Sequence, residues 1–121
     1  MALTVAGTLP SPAMLILDKD MPLHQVGALD SLPPGSVTEV AIGDDTYAVC
    51  NVDGKLHCIA GTCPHAGGPL GQGALSGNFL VCPWHGWEFD CTTGKNDFDE
   101  DVQVETFRVI VEGKEIVIDI P

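Results

Sequence analysis

Apolar and β-branched residues fall in short runs separated by turn formers along this chain, with alternation at period two near the C-terminal end, and amphipathic helical stretches are hard to find. Leu23 to Ala28, Ser36 to Ile42 and Thr46 to Val52 are strand-length runs, broken by the turn formers DSLPPG and GDD. Asp53-Gly54, between TYAVCNV and KLHCIA, carries the strongest hairpin signal, because a two-residue type I′ turn needs positive φ at both central positions. Farther on, VQVETFRVIVEGKEIVIDI reads as two strands folding back around Glu112-Gly113, with Ile116, Ile118 and Ile120 alternating with Glu115, Val117 and Asp119. The pattern predicts an all-β fold, a small antiparallel β-sandwich or barrel over residues 21–121, preceded by an N-terminal arm at residues 1–20. The stretch from about 61 to 90 is expected to be an inserted, loop-rich subdomain.

Composition narrows the function classes. A chain of 121 residues is one domain's worth and buries only about two-thirds of the surface its unfolded form exposes. With 5 Lys and Arg against 17 Asp and Glu, the formal net charge is -12, so nucleic acid and anionic membranes are poor partners and a basic protein surface is a better one. Five cysteines, an odd number at spacings unlike a secreted disulfide framework, indicate a reducing cytoplasm. The N-terminal stretch carries no Lys or Arg before Lys19 and is interrupted by Pro10 and Pro12, a poor signal peptide. Its longest apolar run, Ala13 to Leu17, is far below the roughly twenty residues of a membrane helix, so a soluble protein is expected, and among partners a monomer that meets others only transiently.

The candidate chemistry lies in CPHAGGPLGQGALSGNFLVCPWHGWEFD, residues 63–90, where a Cys-x-His and a Cys-x2-His are set in glycine, proline and tryptophan. Three readings of Cys63, His65, Cys82 and His85 stay open on the residues alone: neighbours by chance, a structural zinc site, or a binuclear iron-sulfur centre. Zinc sites with two Cys and two His usually draw both thiolates from one knuckle. Here each loop supplies one thiolate and one imidazole, as suits a [2Fe-2S] cluster whose one iron keeps two thiolates while the other takes two imidazoles. Gly67, Gly68 and Gly86 are expected to let backbone amides approach inorganic sulfide, and Pro64 and Pro83 to stiffen each loop, although tight turns alone also account for them.

CPHAGGPL and CPWHGWEFD, extended by NVDGKLHCIAGTCPH before and FDCTTGK after, resemble a Rieske protein over about residues 21 to 95, and among these the small ferredoxins of bacterial ring-hydroxylating dioxygenase systems of the biphenyl and carbazole type. The resemblance implies one Rieske-type [2Fe-2S] cluster, with Cys63 and Cys82 on the inner iron and His65 and His85 on the outer. It implies a carrier without catalytic residues of its own, which takes single electrons from an NAD(P)H-dependent flavoprotein reductase and passes them to a terminal oxygenase through transient contacts. A small subunit of a larger oxidoreductase such as nitrite reductase is the alternative, and a zinc-stapled binding module a more distant one. Respiratory Rieske proteins carry a disulfide whose positions match Gly68 and Trp84, so none is expected here. They also place hydroxyl donors where this chain has Trp87 and Phe89, which implies a potential at the low end of the family range, near about -150 mV. A proline-containing loop that often covers the cluster has no counterpart after Pro83, which leaves the covering of that side open.

Of the remaining residues, His24 and His57 are expected to be ordinary strand side chains, His57 opposite Cys50 across the Asp53-Gly54 hairpin. Cys50, Cys58 and Cys91 are expected to act as small apolar residues, with Cys91 partly exposed. Asp97, Asp99, Glu100, Asp101 and Glu105 form an acidic run, either a solvated face or a docking patch.

Overall fold

The computed structural model describes residues 23–64, 67–84, 86–99 and 101–120; the expected arm at residues 1–20 lies outside them. Six strands form one antiparallel sheet in the order β1-β9-β8-β4-β3-β2, where β1 is Leu23–Ala28, β2 Val37–Ile42, β3 Asp45–Val52, β4 Lys55–Ala60, β8 Thr106–Glu112 and β9 Glu115–Asp119. A second, three-stranded sheet holds β5 (Ala74–Ser76), β6 (Phe79–Val81) and β7 (Glu88–Asp90). The only helical elements among the described residues are two three-residue 3-10 turns, Leu29–Ser31 and Leu70–Gln72.

The hairpin signals behave as turn chemistry requires. Asp53 and Gly54 have φ of 53° and 94°, positive at both central positions, and join β3 to β4 with Val52 opposite Lys55. At the other hairpin Glu112 pairs with Glu115, so the turn is centred on Gly113-Lys114, one residue later than expected, because Gly113 takes the positive φ of 63°. His57 stands opposite Cys50, as the hairpin register implied.

The large sheet is two three-stranded halves joined where Cys58 pairs with Phe107 and Ile59 with Thr106, and where the Ala60 N–H donates to the Glu105 carbonyl at 2.8 Å. They fold over a core of Leu32, Tyr47, Val49, Cys58, Ile116 and Ile118, and β1 and β2 line the two sides of one cleft, so the barrel is nearly closed. Strand β3 is buried on both faces. Tyr47 and Val49 point into the barrel, while Ala48 and Cys50 point the other way, into a second core with Ile59, Leu70, Leu80, Phe89 and Cys91 that joins the barrel to the smaller sheet. Asn51, one of two buried polar side chains among the described residues, ties the β3–β4 turn to the segment before β2: its Nδ2 donates to the Leu32 carbonyl and its Oδ1 accepts from the Gly54 N–H, both at 2.8 Å. The segment expected to be loop-rich thus contains a sheet of its own. Its strands are three residues long, too short for alternation to register in the sequence.

Candidate metal centre

Two loops of equal length project from this lobe. The first, residues 63–68, is flanked by the bridge between Thr62 and Pro69; the second, residues 82–87, is flanked by the pair Val81 and Glu88 at the ends of β6 and β7. Their backbones close identically. The Cys63 N–H donates to the Gly68 carbonyl at 2.9 Å and the Gly67 N–H to the Cys63 carbonyl at 2.8 Å; the Cys82 N–H donates to the Trp87 carbonyl at 2.7 Å and the Gly86 N–H to the Cys82 carbonyl at 3.1 Å. Gly67 and Gly86 share φ of 76°, a left-handed conformation that L residues enter at a cost of about 1–2 kcal/mol.

The role assigned to these glycines changes accordingly. The amides of Gly67 and Gly86 close the loops onto the cysteine carbonyls, and positive φ is why glycine stands at both. Close approach holds instead at Gly68, where a β-carbon would lie 2.7 Å from Cys82 Sγ and 3.1 Å from the Trp84 β-carbon. Positions 68 and 84, where the respiratory branch carries its disulfide, therefore face each other, with Trp84 packed over the glycine; all five cysteines here are free thiols.

Cys63 and Cys82 are 1% and 3% exposed and close enough for their thiols to share a hydrogen bond. Burial raises the Cys82 thiol, and the Trp84 N–H, 3.4 Å from its sulfur, acts in the opposite direction. Because each loop begins with its cysteine and closes at the same offset, the two thiols converge from equivalent positions on matched loops. His65 and His85, second and third after their cysteines, lie outside the described residues, as do Ala66 and Glu100. The donor set fits a binuclear cluster gripped from two sides: two buried, unpaired sulfurs meet in one place, a backbone N–H points at one of them, and the wall between them is a glycine with no room for a β-carbon.

The other cysteines stand behind the site. Cys50 and Cys91 adjoin one another in the core beneath the loops, and Cys58 faces the barrel. Cys91 is 1% exposed, contrary to its expected partial exposure, because the turn after β7 folds it inward while its N–H donates to the Asn78 carbonyl at 2.9 Å. The neighbouring Cys91 thiol and burial hold Cys50 far above the ordinary thiol range, and burial pushes Cys58 up to about 12.

Sequence reasoning missed Asn96. It is 2% exposed; its Nδ2 donates to the Glu88 carbonyl at 3.0 Å and its Oδ1 accepts from the N–H groups of Phe98 and Asp99 at 3.2 and 3.1 Å. The Asn-Asp turn propensity of NDFD was its only trace in the sequence. This asparagine fixes the stretch after residue 95, where no proline stands, and lays the Phe98 ring edge to face on Trp87 with centroids 5.0 Å apart. Asp97, Asp99, Asp101 and Glu105 are all exposed.

A barrel carrying two matched cysteine loops on a three-stranded lobe is the architecture of a Rieske [2Fe-2S] domain, and the model of that family matches residues 23–115: the chain belongs to it, with one Rieske-type [2Fe-2S] cluster as its cofactor. The structural-zinc alternative gives way to that cluster. The chain is similar to the ferredoxin component of the naphthalene 1,2-dioxygenase system of Pseudomonas aeruginosa, at 30% identity over 77% of this chain and 90% of that protein. Among solved structures it is similar to the ferredoxin of carbazole 1,9a-dioxygenase from Nocardioides aromaticivorans IC177, with 27% identity, TM-score 0.75, and coverage of 82% of this chain and 98% of that one. A chain in the complex of reduced oxygenase and oxidized ferredoxin in carbazole 1,9a-dioxygenase matches equally well, with 27% identity, TM-score 0.75, and coverage of 83% and 94%. The chain spans less than a fifth of the length of several other curated relatives it matches. No helix among the described residues is long and apolar enough to cross a membrane.

Proposed function

We propose that the protein is a soluble cytoplasmic electron carrier, taking single electrons from an NAD(P)H-dependent flavoprotein reductase and delivering them to a terminal oxygenase that hydroxylates aromatic rings. In this reading Cys63 and Cys82 hold the inner iron, and His65 and His85 hold the outer iron. The cluster supplies reversible one-electron chemistry. The chain keeps the sulfur side dry within the core of Leu70, Leu80 and Phe89, directs the Trp84 N–H at Cys82 Sγ, and needs no substrate pocket or nucleophile of its own.

The observation that carries this reading is the pair of identically closed loops, each offering one buried thiol to the same place. A structural staple does not require a redox-competent donor set with one imidazole beside each thiolate; a Rieske cluster does. Anaerobically purified protein is expected to contain two irons and two acid-labile sulfides per chain, to take up one electron on reduction with a Rieske-type EPR signal, and to lose that signal in His65→Ala and His85→Ala. Stoichiometric zinc without sulfide, or an intact signal in both histidine variants, would overturn it.

A further inference from the structure

Asp97, Phe98 and Asp99 are tied inward through their backbone N–H groups, yet the Phe98 ring is held outward. The N–H of Asp97 donates to the Glu88 carbonyl at 3.1 Å, those of Phe98 and Asp99 to Asn96 Oδ1, that of Asp101 to Asp99 Oδ1 at 3.0 Å and that of Val102 to the Asp99 carbonyl at 3.0 Å. With these donors satisfied, the loop has little freedom to fold its side chains under. Phe98 is nevertheless 65% exposed, more than Trp84, Leu23 or Val111, the other exposed large apolar residues among those described. Leu23 and Val111 lie singly on strands of the barrel and need no partner. Phe98 instead rests on Trp87, whose carbonyl accepts the Cys82 N–H at 2.7 Å, and is flanked by exposed Asp97, Asp99 and Asp101.

We propose that Phe98 is a docking anchor for a protein electron partner whose surface offers an apolar pocket rimmed by lysine or arginine. Interface hot spots are aromatic side chains buried at the centre of a polar rim, and a ring already held by Trp87 and an Asn96-braced loop loses little conformational freedom on binding. The three aspartates and the net charge of -12 select a basic rim and steer its approach. Seating a partner here places it against the second cysteine loop rather than the barrel. The inference rests on the electron-carrier reading and adds to it the site and chemistry of contact.

Cytochrome c, a basic one-electron acceptor with an apolar haem edge ringed by lysines, serves as the probe. Stopped-flow oxidation of the reduced full-length holoprotein is compared for wild type, Phe98→Ala, Phe98→Leu and the double variant Asp97→Asn/Asp101→Asn at low and high ionic strength, with each midpoint potential measured. Phe98→Ala is expected to lower the second-order rate constant about tenfold at both ionic strengths after correction for any change in potential, as loss of an aromatic anchor does. Phe98→Leu should keep most of the rate, and the aspartate variant should lose rate at low salt and flatten the salt dependence. A corrected Phe98→Ala rate within about twofold of wild type overturns the anchor while leaving electron transfer itself intact. If Phe98→Ala loses its cluster, a wild-type rate in Phe98→Asp with the cluster retained is the overturning result instead. A wild-type protein with an intact cluster that passes no electron to cytochrome c sinks the carrier reading, and the anchor with it.

Discussion

A β-carbon at Gly68 would stand 2.7 Å from Cys82 Sγ, so the wall between the two cysteine loops is set by the absence of one carbon atom. Gly68→Ala must therefore displace the sulfur of a proposed cluster ligand, whereas Gly67→Ala meets nothing within 4 Å and suffers only its φ of 76°. Gly68→Ala is expected to purify with little or no iron and sulfide, while Gly67→Ala retains the cluster at a stability cost of about 1–2 kcal/mol. Metal and sulfide analysis beside chemical denaturation checks both.

Phe89 is fully buried in the same core as Cys63 and Cys82, at the position where the resemblance to respiratory Rieske proteins implies a hydroxyl donor to sulfur. Donation to a sulfur that becomes more negative on reduction stabilises the reduced state. Phe89→Tyr should raise the midpoint potential by tens of millivolts, given about 59 mV per tenfold change for a one-electron couple and one hydrogen bond of ordinary strength. Protein-film voltammetry decides the sign; a lowered potential with the cluster intact would place the hydroxyl away from sulfur.

Asn51→Ala removes a donor to the Leu32 carbonyl and an acceptor from the Gly54 N–H in a side chain that is 5% exposed. The orphaned groups should lower unfolding stability by about 1–3 kcal/mol with the cluster spectrum unchanged. Equal denaturation midpoints for variant and wild type would show that water takes over both bonds.

Cys58 sets an alkaline limit. Its thiol, pushed up to about 12 by burial, stays protonated in the folded chain while the unfolded chain releases the proton near 9, so the unfolded state binds fewer protons between those values. Stability is therefore fully present below about pH 9 and falls as pH rises toward 12. Cys58→Ala should show a shallower alkaline decline, read from denaturation midpoints across that range.

Cys50, Cys58 and Cys91 should be spectators to the cluster, since none of them lies in the two matched loops that bring Cys63 and Cys82 together and Cys50 is held protonated beside Cys91. Single alanine variants are expected to keep the wild-type absorption and EPR spectra. Loss of the signal from a folded Cys91→Ala protein would move it into the ligand set.

The sequence by itself determined what short-range chemistry determines. Asp53-Gly54 had to turn, because few residue pairs accept positive φ twice, and the hairpin register followed down to His57 opposite Cys50. The strands of the barrel were legible as runs of five to eight β-prone residues set between turn formers, with period-two alternation helping at the C-terminal hairpin. Cys63, His65, Cys82 and His85 stood out in the sequence as a candidate ligand set because each loop offers one thiol and one imidazole.

Tertiary structure decided the rest, through contacts between residues far apart in the chain. Strands β5 to β7 are stable only as a sheet packed on Ala48, Cys50 and Ile59, and β3 gains its second buried face from that packing rather than from its own pattern. Cys91 was read as partly exposed, yet the core beneath the loops encloses it. Gly67, Gly68 and Gly86 look alike in sequence, but two are needed for a backbone angle and one for the space beside Cys82, a distinction that exists only once the two loops face each other. Asn96 and Phe98 gained their roles in the same way, when the fold set Glu88 and Trp87 within reach of a loop that in sequence is only an acidic run.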